Sequence, residues 1–365
     1  MPIADARARS GRLTTASLDA QTPGARTTRF CRTRNAPVVC APLNRSQAKP
    51  ALQLLARRRR CREPHRGSLL YLQRKQDMDT RVRHRRVRIG SVDTFYREAG
   101  PERAPVVLLP HGYPCSSYEF RNLMPRLADR WRLIAPDYPG FGYSGTPDDF
   151  DYSFDGHAAW LDQFVKQLKI ERFVIYLHDF GSPIGARLAI MRPERVVAQI
   201  IQNGDIPYED ALGPAYADIE KSWSLPDREL RAAMREAVTE ENFRDEFLND
   251  LRADLAGLIA PDLWRLHWSL MTERRKDAAA DVLFGLKANR QWFPEHRRYL
   301  RQHKPPTLIL WGPQDHYMPE RSARAYLRDL PDAELHLLDG GHWLLETNLD
   351  EVVSLTRSFL ERIES

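Results

Sequence analysis

Asp179 is the residue with the clearest capacity for chemistry, because it lies at a predicted turn between a strand and a helix. Residues 174–185 read VIYLHDFGSPIG, an apolar β-branched run followed by small residues and a helical pattern. Such a turn presents one side chain at the edge of a parallel sheet. A carboxylate there attacks carbonyls poorly, but it can displace a leaving group from saturated carbon and form an alkyl ester. The sequence therefore predicts chemistry at saturated carbon.

His342 and Asp315 are the residues that could hydrolyse such an ester. His342 lies in the glycine-rich turn DGGHW at 339–343, and Asp315 ends the segment WGPQD at 311–315. A histidine can take a proton from water, while a carboxylate beside it fixes the tautomer and stabilises the imidazolium. We expect Asp179, Asp315 and His342 to act together.

The order of predicted elements indicates an α/β protein with a mostly parallel sheet flanked by helices. Strands are predicted at 87–89, 92–98, 106–109, 131–135, before Asp179, and at 196–202, 307–311 and 334–338. The first two form an edge hairpin. Residues 205–304 show only helical spacing and are predicted to form a cap over the carboxyl edge of the sheet, where such sheets bind ligands. The expected core is therefore 78–204 with 305–365.

Residues 1–77 differ from the rest in charge. They hold 17 Lys and Arg against 4 Asp and Glu, which leaves 38 basic and 45 acidic residues for the other 288. A basic segment without hydrophobic periodicity is expected to be disordered. Four interpretations stay open: an over-long gene model with its start at Met78, disorder without function, an organelle transit peptide, and a nucleic-acid-binding arm.

The remaining composition gives expectations about class and location. Three cysteines lie in 1–77 and only Cys115 lies in the body, which predicts neither a disulfide framework nor a metal site. No apolar run approaches the roughly 20 residues needed to cross a bilayer. We expect a cytoplasmic monomer or homodimer that acts on a small molecule without cofactor or metal, and no nucleic acid binding by the body.

From Met78 to Ser365 the chain resembles the α/β-hydrolase superfamily, in its epoxide hydrolase and haloalkane dehalogenase branch. The matching motifs are HGYP at 111–114, DYPGFG at 137–142, HDFG at 178–181, WGPQD at 311–315 and GH at 341–342. The resemblance implies an α/β-hydrolase fold with a helical cap and the chain order nucleophile, acid, histidine. It also implies that the backbone N–H groups of Tyr113 and Phe180 hold the oxyanion formed during ester hydrolysis.

Departures from the family pattern bear on the leaving group. Phe180 and Tyr113 stand where similar dehalogenases place tryptophan and asparagine, so the halide site is incomplete unless a cap tryptophan such as Trp223 contributes. Epoxide hydrolases use two cap tyrosines as acids. Tyr208 and Tyr216 are candidates for one of them, and Leu286 falls near the position of the second.

Two further positions depart from the pattern near the turn and the acid. Asn203 stands where some members carry the acid, which leaves Asp315 in that role. Leu177 stands where the family prefers a small residue two places before the nucleophile.

The leading hypothesis is a hydrolase that forms an alkyl ester on Asp179, with epoxides ahead of haloalkanes or haloacids as substrates. A non-catalytic binding protein on the same scaffold is an alternative, since fold alone does not imply activity. A serine esterase would need Ser182, three positions into the helix, as its nucleophile.

Overall fold

The computed structural model describes residues 80–249 and 251–364, so the extension expected at 1–77 lies outside the described residues. Eight strands form one sheet, and all eight were predicted from the sequence. They are β1 (Arg83–Ile89), β2 (Val92–Ala99), β3 (Val106–Leu108), β4 (Arg132–Pro136), β5 (Phe173–Asp179), β6 (Val196–Gly204), β7 (Thr307–Trp311) and β8 (Glu334–Leu337).

The sheet has the order β1-β2-β4-β3-β5-β6-β7-β8. Strand β2 pairs antiparallel with both β1 and β4, and the pairs from β4 to β8 are parallel. The hairpin predicted at the sheet edge is therefore confirmed. Because β3 to β8 run in one direction, their carboxyl ends meet at a single edge, where Asp179 ends β5.

Helices connect these strands and are numbered in chain order. They are α1 (Met124–Leu127), α2 (Phe154–Gln167), α3 (Gly181–Met191), α4 (Pro214–Ser222), α5 (Asp227–Glu236), α6 (Glu240–Leu248), α7 (Ala253–Ala256), α8 (Asp262–Ser269), α9 (Glu273–Asn289), α10 (Phe293–His303), α11 (Glu320–Ala325), α12 (Leu344–Thr347) and α13 (Leu349–Glu364). None of the helices in the described ranges is long and apolar enough to span a membrane.

Side-chain caps mark several helix starts. Ser153 accepts a hydrogen bond from the Gly156 backbone at the start of α2, and Thr239 and Thr272 make the equivalent bonds for α6 and α9. Each cap satisfies one of the backbone N–H groups that a helix start leaves unpaired. Lys304 ends α10 in the left-handed conformation, directly before β7.

Alternate side chains of the strands pack on opposite faces of the sheet. Ile175, Leu177 and Ile201 belong to a cluster on the face covered by α2 and α3. Val174 and Tyr176 point to the other face, where α1 and α13 pack. The sheet is thus covered on both sides, and its open carboxyl edge is left for the site.

The described part of the chain between β6 and β7 forms helices α4 to α10 and no strand. Leu230, Met234, Phe243 and Phe247 on these helices are buried, as their helical spacing predicted. Met234 reaches the pocket beside Asp179, so this helical segment contributes directly to the walls of the site.

The turn after β5 shows how the chain tolerates Leu177 where a small residue was expected. Leu177 is buried, and a Cβ atom added at Gly185 would lie 2.5 Å from its Cδ2 atom. The space that a small residue would have left at 177 is therefore provided by Gly185, one turn into α3.

We expect Gly185→Ala to destabilise the protein by about 1–3 kcal/mol, because the new methyl group would overpack a closed core. Gly285→Ala is the matched control, since its Cβ would meet Phe154 only at 3.6 Å. A glycine-to-alanine change inside an unobstructed helix is expected to stabilise by up to about 1 kcal/mol. Urea denaturation measures both, and equal stability of the two variants would contradict the crowding of Leu177.

Candidate active site

Asp179 occupies a strained backbone position at the carboxyl edge of the sheet. Its φ angle is 45°, in the left-handed region that non-glycine residues rarely adopt. The turn can close because Gly181 has no side chain, and a Cβ atom there would lie 2.3 Å from the Pro110 carbonyl oxygen. The strained turn lifts the Asp179 carboxylate out of the sheet and toward the pocket.

The loop after β3 approaches this carboxylate closely. The Tyr113 backbone N–H donates a hydrogen bond to Asp179 Oδ1. A Cβ atom at Gly112 would lie 2.7 Å from the Asp179 Cβ, so only glycine permits the approach. Phe180 caps the start of α3 and lines the pocket. One of the two predicted oxyanion donors, Tyr113, therefore already contacts the carboxylate.

His342 lies between two carboxylates. Its Nδ1 atom is 2.7 Å from Asp315 Oδ2, and its Nε2 atom is 3.4 Å from Asp179 Oδ2. The structure thus brings together the three residues that the sequence singled out, although Asp179 and His342 are 163 positions apart in the chain.

Asn203 orients Asp315, a contact that the sequence did not reveal. Its Nδ2 atom donates to Asp315 Oδ2 at 2.8 Å, and its Oδ1 atom accepts from the Gly312 N–H at 2.8 Å. The other oxygen of Asp315 accepts from the backbone N–H groups of Tyr317 and Met318. Asn203 therefore supports the acid at the position where some relatives carry the acid itself.

The electrostatics of the three groups are coupled. Burial raises the pKa of Asp179, but the hydrogen bond and charge of His342 more than offset it and hold the pKa below its usual range. Asp315 behaves in the same way. Burial lowers the pKa of His342, but Asp315 and Asp179 together hold it well above its usual value. The resting site contains two carboxylates and an imidazolium.

A buried pair behind the site was also missed by the sequence analysis. His178 Nδ1 lies 2.7 Å from Glu119 Oε1, and His178 Nε2 lies 3.0 Å from the His342 carbonyl oxygen. Glu119 Oε2 accepts from the Gly112 N–H. This pair fixes the backbone of both the His342 turn and the loop that carries Tyr113.

A mostly apolar pocket opens in front of Asp179. The helical segment contributes Tyr216, Ile219, Met234, Glu246, Leu283 and Leu286, and the remaining walls are Tyr113, Asp179, Phe180, Asp205, Tyr317 and Met318. Leu286 is buried and apolar at the position expected for a second tyrosine.

Two predicted pocket residues lie elsewhere. Tyr208 donates a hydrogen bond to Asp329 at 2.8 Å and packs edge-on against Tyr326, so it is a structural contact outside the pocket. Trp223 ends α4 and contacts the back of the Tyr216 ring. Only Tyr216, of the three cap residues proposed from the sequence, lines the pocket.

Ser182 is not placed to act as a nucleophile. It is buried in the first turn of α3 and is not among the residues that line the pocket. A Cβ atom at Gly204 would lie 2.2 Å from its hydroxyl oxygen, so the hydroxyl points beneath the site toward β6.

Asp205 and Glu246 are two further carboxyl groups in the pocket. Burial and the charge of Asp179 raise the pKa of each to about 7. Asp205 directly follows β6, a position at the carboxyl edge that could have identified it from the sequence. Glu246 lies within α6, and no sequence signal points to it. Within the described ranges, no cluster of three or more metal-ligating side chains occurs.

We expect Asp179→Asn to lower the pKa of His342, because it removes one of the two carboxylates that hold the imidazolium. NMR titration of the His342 ring measures the change. Asp339→Asn is the matched control, since that carboxylate lies three residues from His342 but its side chain is 71% exposed. An unchanged His342 pKa in Asp179→Asn, or an equal fall in Asp339→Asn, would contradict the coupling.

Comparison with known proteins identifies the family of the chain. The alpha/beta hydrolase fold family matches residues 105–349. The uncharacterized hydrolase YNR064C of Saccharomyces cerevisiae is 32% identical over 273 residues, which cover 72% of this chain and 93% of that protein. Haloalkane dehalogenase 2 of Mycobacterium tuberculosis is 39% identical over 99 residues, which cover 27% of this chain and 35% of that protein.

A solved structure shows the same fold. The haloalkane dehalogenase DbeA from Bradyrhizobium elkani superposes with a TM-score of 0.64 at 23% identity, and the match covers 78% of this chain and 99% of that one. At this identity the likeness concerns the fold. The family match and the yeast relative show that the chain belongs to the α/β-hydrolase family and is a hydrolase with haloalkane dehalogenases among its relatives.

Proposed function

We propose that this hydrolase acts through a covalent alkyl ester on Asp179, with epoxides as its substrate class. The observation that supports the mechanism is the placement of His342 between Asp315 and Asp179, while the Tyr113 N–H holds the second oxygen of Asp179. A carboxylate nucleophile, a water-activating base and an oxyanion donor are the three parts that the two steps require.

In the first step, Asp179 Oδ2 attacks a saturated carbon of the substrate. The lowered pKa of Asp179 keeps it ionised at neutral pH. Oδ1 stays bound to the Tyr113 N–H and becomes the carbonyl oxygen of the ester. The bond that breaks in the substrate expels its leaving group into the pocket.

In the second step, formation of the ester allows His342 to act as a base. Esterification removes the negative charge of Asp179, which is one of the causes of the raised His342 pKa. His342 then loses its proton and can take one from water that attacks the ester carbon. Negative charge develops on Oδ1, next to the Tyr113 N–H and, in this proposal, that of Phe180.

The helical segment from α4 to α10 acts as a cap in this mechanism. It supplies six of the pocket walls named above, among them Tyr216, Glu246 and Leu286. These side chains keep the ester away from bulk water, so hydrolysis depends on the water that His342 activates.

The pocket chemistry supports a neutral substrate with an oxygen leaving group. No Lys, Arg or Trp occurs among the described pocket-lining residues, so the pocket wall offers a substrate carboxylate or a halide ion no ammonium, guanidinium or indole N–H group. A haloacid would bring its own negative charge beside Asp179, Asp205 and Glu246. An epoxide oxygen instead needs a proton, and two pocket carboxyl groups have a pKa of about 7.

Dehalogenation of haloalkanes is the second candidate. The observation that favours it is the 39% identity with a haloalkane dehalogenase, over a stretch covering 35% of that protein. The two activities share the ester on Asp179 and differ in the product released.

His342→Gln should trap the ester, because hydrolysis needs the base whereas alkylation needs only an ionised Asp179, whose pKa rises when the imidazolium is lost. After incubation with a terminal epoxide, mass spectrometry of the Asp179 peptide should show a gain equal to the epoxide mass. His342→Gln combined with Asp179→Ala is the control and should show no gain. An unmodified peptide with epoxides and haloalkanes alike would overturn the mechanism.

Product analysis of the unsubstituted protein should separate the two candidates. We expect diol formation from epoxides to exceed halide release from alkyl bromides of the same carbon skeleton, because the pocket offers acidic protons but no indole donors. Asp179→Ala provides the blank for both assays. Faster halide release would assign the dehalogenase activity instead.

A further inference from the structure

Two polar atoms in the pocket lack partners. Asp205 Oδ1 and the Tyr216 hydroxyl are buried, and neither has a hydrogen-bond partner among the described residues. Both residues line the pocket that contains Asp179. A buried polar atom left unpaired costs about 1–3 kcal/mol, so two of them in one pocket indicate a ligand atom that would pair with both.

The rest of the Asp205 carboxyl group is firmly held. Its Oδ2 atom accepts a hydrogen bond from Asn289 Nδ2 at 2.5 Å, and Asn289 Oδ1 accepts from Arg187 Nη1 at 2.8 Å. One oxygen is therefore anchored to the end of α9, while no group meets hydrogen-bond geometry with the other. The Ile206 backbone N–H is near enough to lower the Asp205 pKa, but it leaves Oδ1 open to a stronger partner. Asp205 is 7% exposed, so its proton is shielded from bulk solvent.

The charges around Asp205 allow it to carry a proton and to lose it near neutral pH. Burial and Asp179 raise its pKa to about 7, while Arg187 and Arg290 oppose the rise. After proton loss, the same two cations stabilise the carboxylate. The other titratable groups that face it or share its cavities are Tyr113, Tyr216, Glu246, Tyr317, Tyr326 and His296.

We propose that Asp205 is the general acid that protonates the leaving oxygen of the substrate, an assignment that rests on the proposed function. The Tyr216 hydroxyl donates a hydrogen bond to the same oxygen. A carboxyl group thus protonates the leaving oxygen, a role that similar epoxide hydrolases give to two cap tyrosines. Leu286 lies at the position of the second of those tyrosines. Proton donation by Asp205 also restricts the substrate class to neutral molecules whose leaving atom is an oxygen.

The first step conserves atoms and charge. Asp179 Oδ2 forms a bond to the ring carbon while the carbon–oxygen bond of the epoxide breaks. The electron pair of that bond passes to the ring oxygen, which takes the Asp205 proton and becomes a hydroxyl group. Asp205 is left as a carboxylate beside Arg187 and Arg290.

The second step restores the acid. Water adds to the Asp179 ester carbon, the diol leaves, and the Asp179 carboxylate returns with one proton on His342. Asp205 regains a proton from solvent, which replaces the proton that His342 released after alkylation. The sum is epoxide plus water to diol.

Glu246 is the other protonated carboxyl group, but its contacts suit it less to this role. Its Oε1 atom accepts a hydrogen bond from the Tyr317 hydroxyl at 3.1 Å. Its charge interacts with both Asp179 and His342, and neither of its oxygens is among the buried atoms left without a partner. Glu246 therefore provides a matched control in the same pocket.

The test measures the rate of ester formation on Asp179 in the His342→Gln protein by quenched-flow mass spectrometry. Two substrates with one carbon skeleton are compared, a terminal epoxide and a primary alkyl bromide, whose leaving bromide needs no proton. Both rates should rise with pH as Asp179 ionises, because this variant lacks the imidazolium that lowers its pKa. The ratio of the epoxide rate to the bromide rate should be constant below the Asp205 pKa of about 7 and fall tenfold per pH unit above it. The bromide rate should show no such fall, and a parallel fall of both rates would overturn the proposal.

Variants then assign the proton. Adding Asp205→Asn should slow alkylation by the epoxide about 100-fold or more, as expected for loss of a general acid, and leave alkylation by the bromide unchanged. Asp205→Glu should restore part of the epoxide rate and its pH dependence. Glu246→Gln should keep the fall above the Asp205 pKa of about 7, whatever its effect on the rate itself. Asp339→Asn, at an exposed side chain outside the pocket, is the control that should leave both the rate and its pH dependence unchanged.

Three outcomes would overturn the assignment. They are equal loss with both substrates in Asp205→Asn, no loss with either, and disappearance of the pH dependence in Glu246→Gln. If Asp205→Asn does not fold, the comparison of substrates across pH and the Asp205→Glu variant decide the question. Absence of ester from both substrates in His342→Gln itself would overturn the proposed function and not this assignment alone.

Discussion

The site depends on keeping two carboxylates ionised in a buried environment, and His342 is what makes this possible. An isolated buried carboxylate becomes neutral, because loss of hydration disfavours its charge. Here the imidazolium lies 2.7 Å from Asp315 and 3.4 Å from Asp179. The other oxygen of each carboxylate is held by N–H groups of Tyr113, Tyr317 and Met318, and the Asn203 amide donates to the Asp315 oxygen that also contacts His342. The loops after β3 and β7 and the end of β6 thus all supply groups that serve this charge balance.

The same balance explains why four carboxyl groups in one site divide into two kinds. Asp179 and Asp315 share the His342 charge and stay ionised. Burial and the negative charge of Asp179 raise the pKa of both Asp205 and Glu246. The nearby cations lower these pKa values by less than burial and Asp179 raise them. When the surroundings of neighbouring acids give them different pKa values, one site can hold an ionised nucleophile and a protonated donor at the same pH.

The sequence was sufficient for residues whose role is local or fixed by a motif. The strands followed from apolar runs. Asp179 ends β5, and Asp315 and His342 lie in the turns that follow β7 and β8. Residues whose role depends on distant partners were beyond it. Tyr208 reads as a pocket tyrosine, but its hydroxyl bonds to Asp329, 121 positions away. Asn203 reads as a lost acid, yet it bonds to Asp315, 112 positions away. Pairings over such separations are set by how the helices pack, which a single sequence does not specify.

Strain at the ends of β5 and β6 connects the fold to the site. Asp179 and Asn203 both adopt positive φ angles, 45° and 39°. The pairing of β5 with β6 shifts between His178 and Asp179, so that Asp179 aligns with Gly204 and Asn203 is left out of the ladder. A residue outside the ladder can turn its side chain away from the sheet, and the Asn203 amide uses this freedom to reach Asp315. One irregularity in the β5–β6 pair thus both lifts Asp179 toward the pocket and directs Asn203 at Asp315. It costs about 1–3 kcal/mol per strained residue, which the packing of the buried strands offsets.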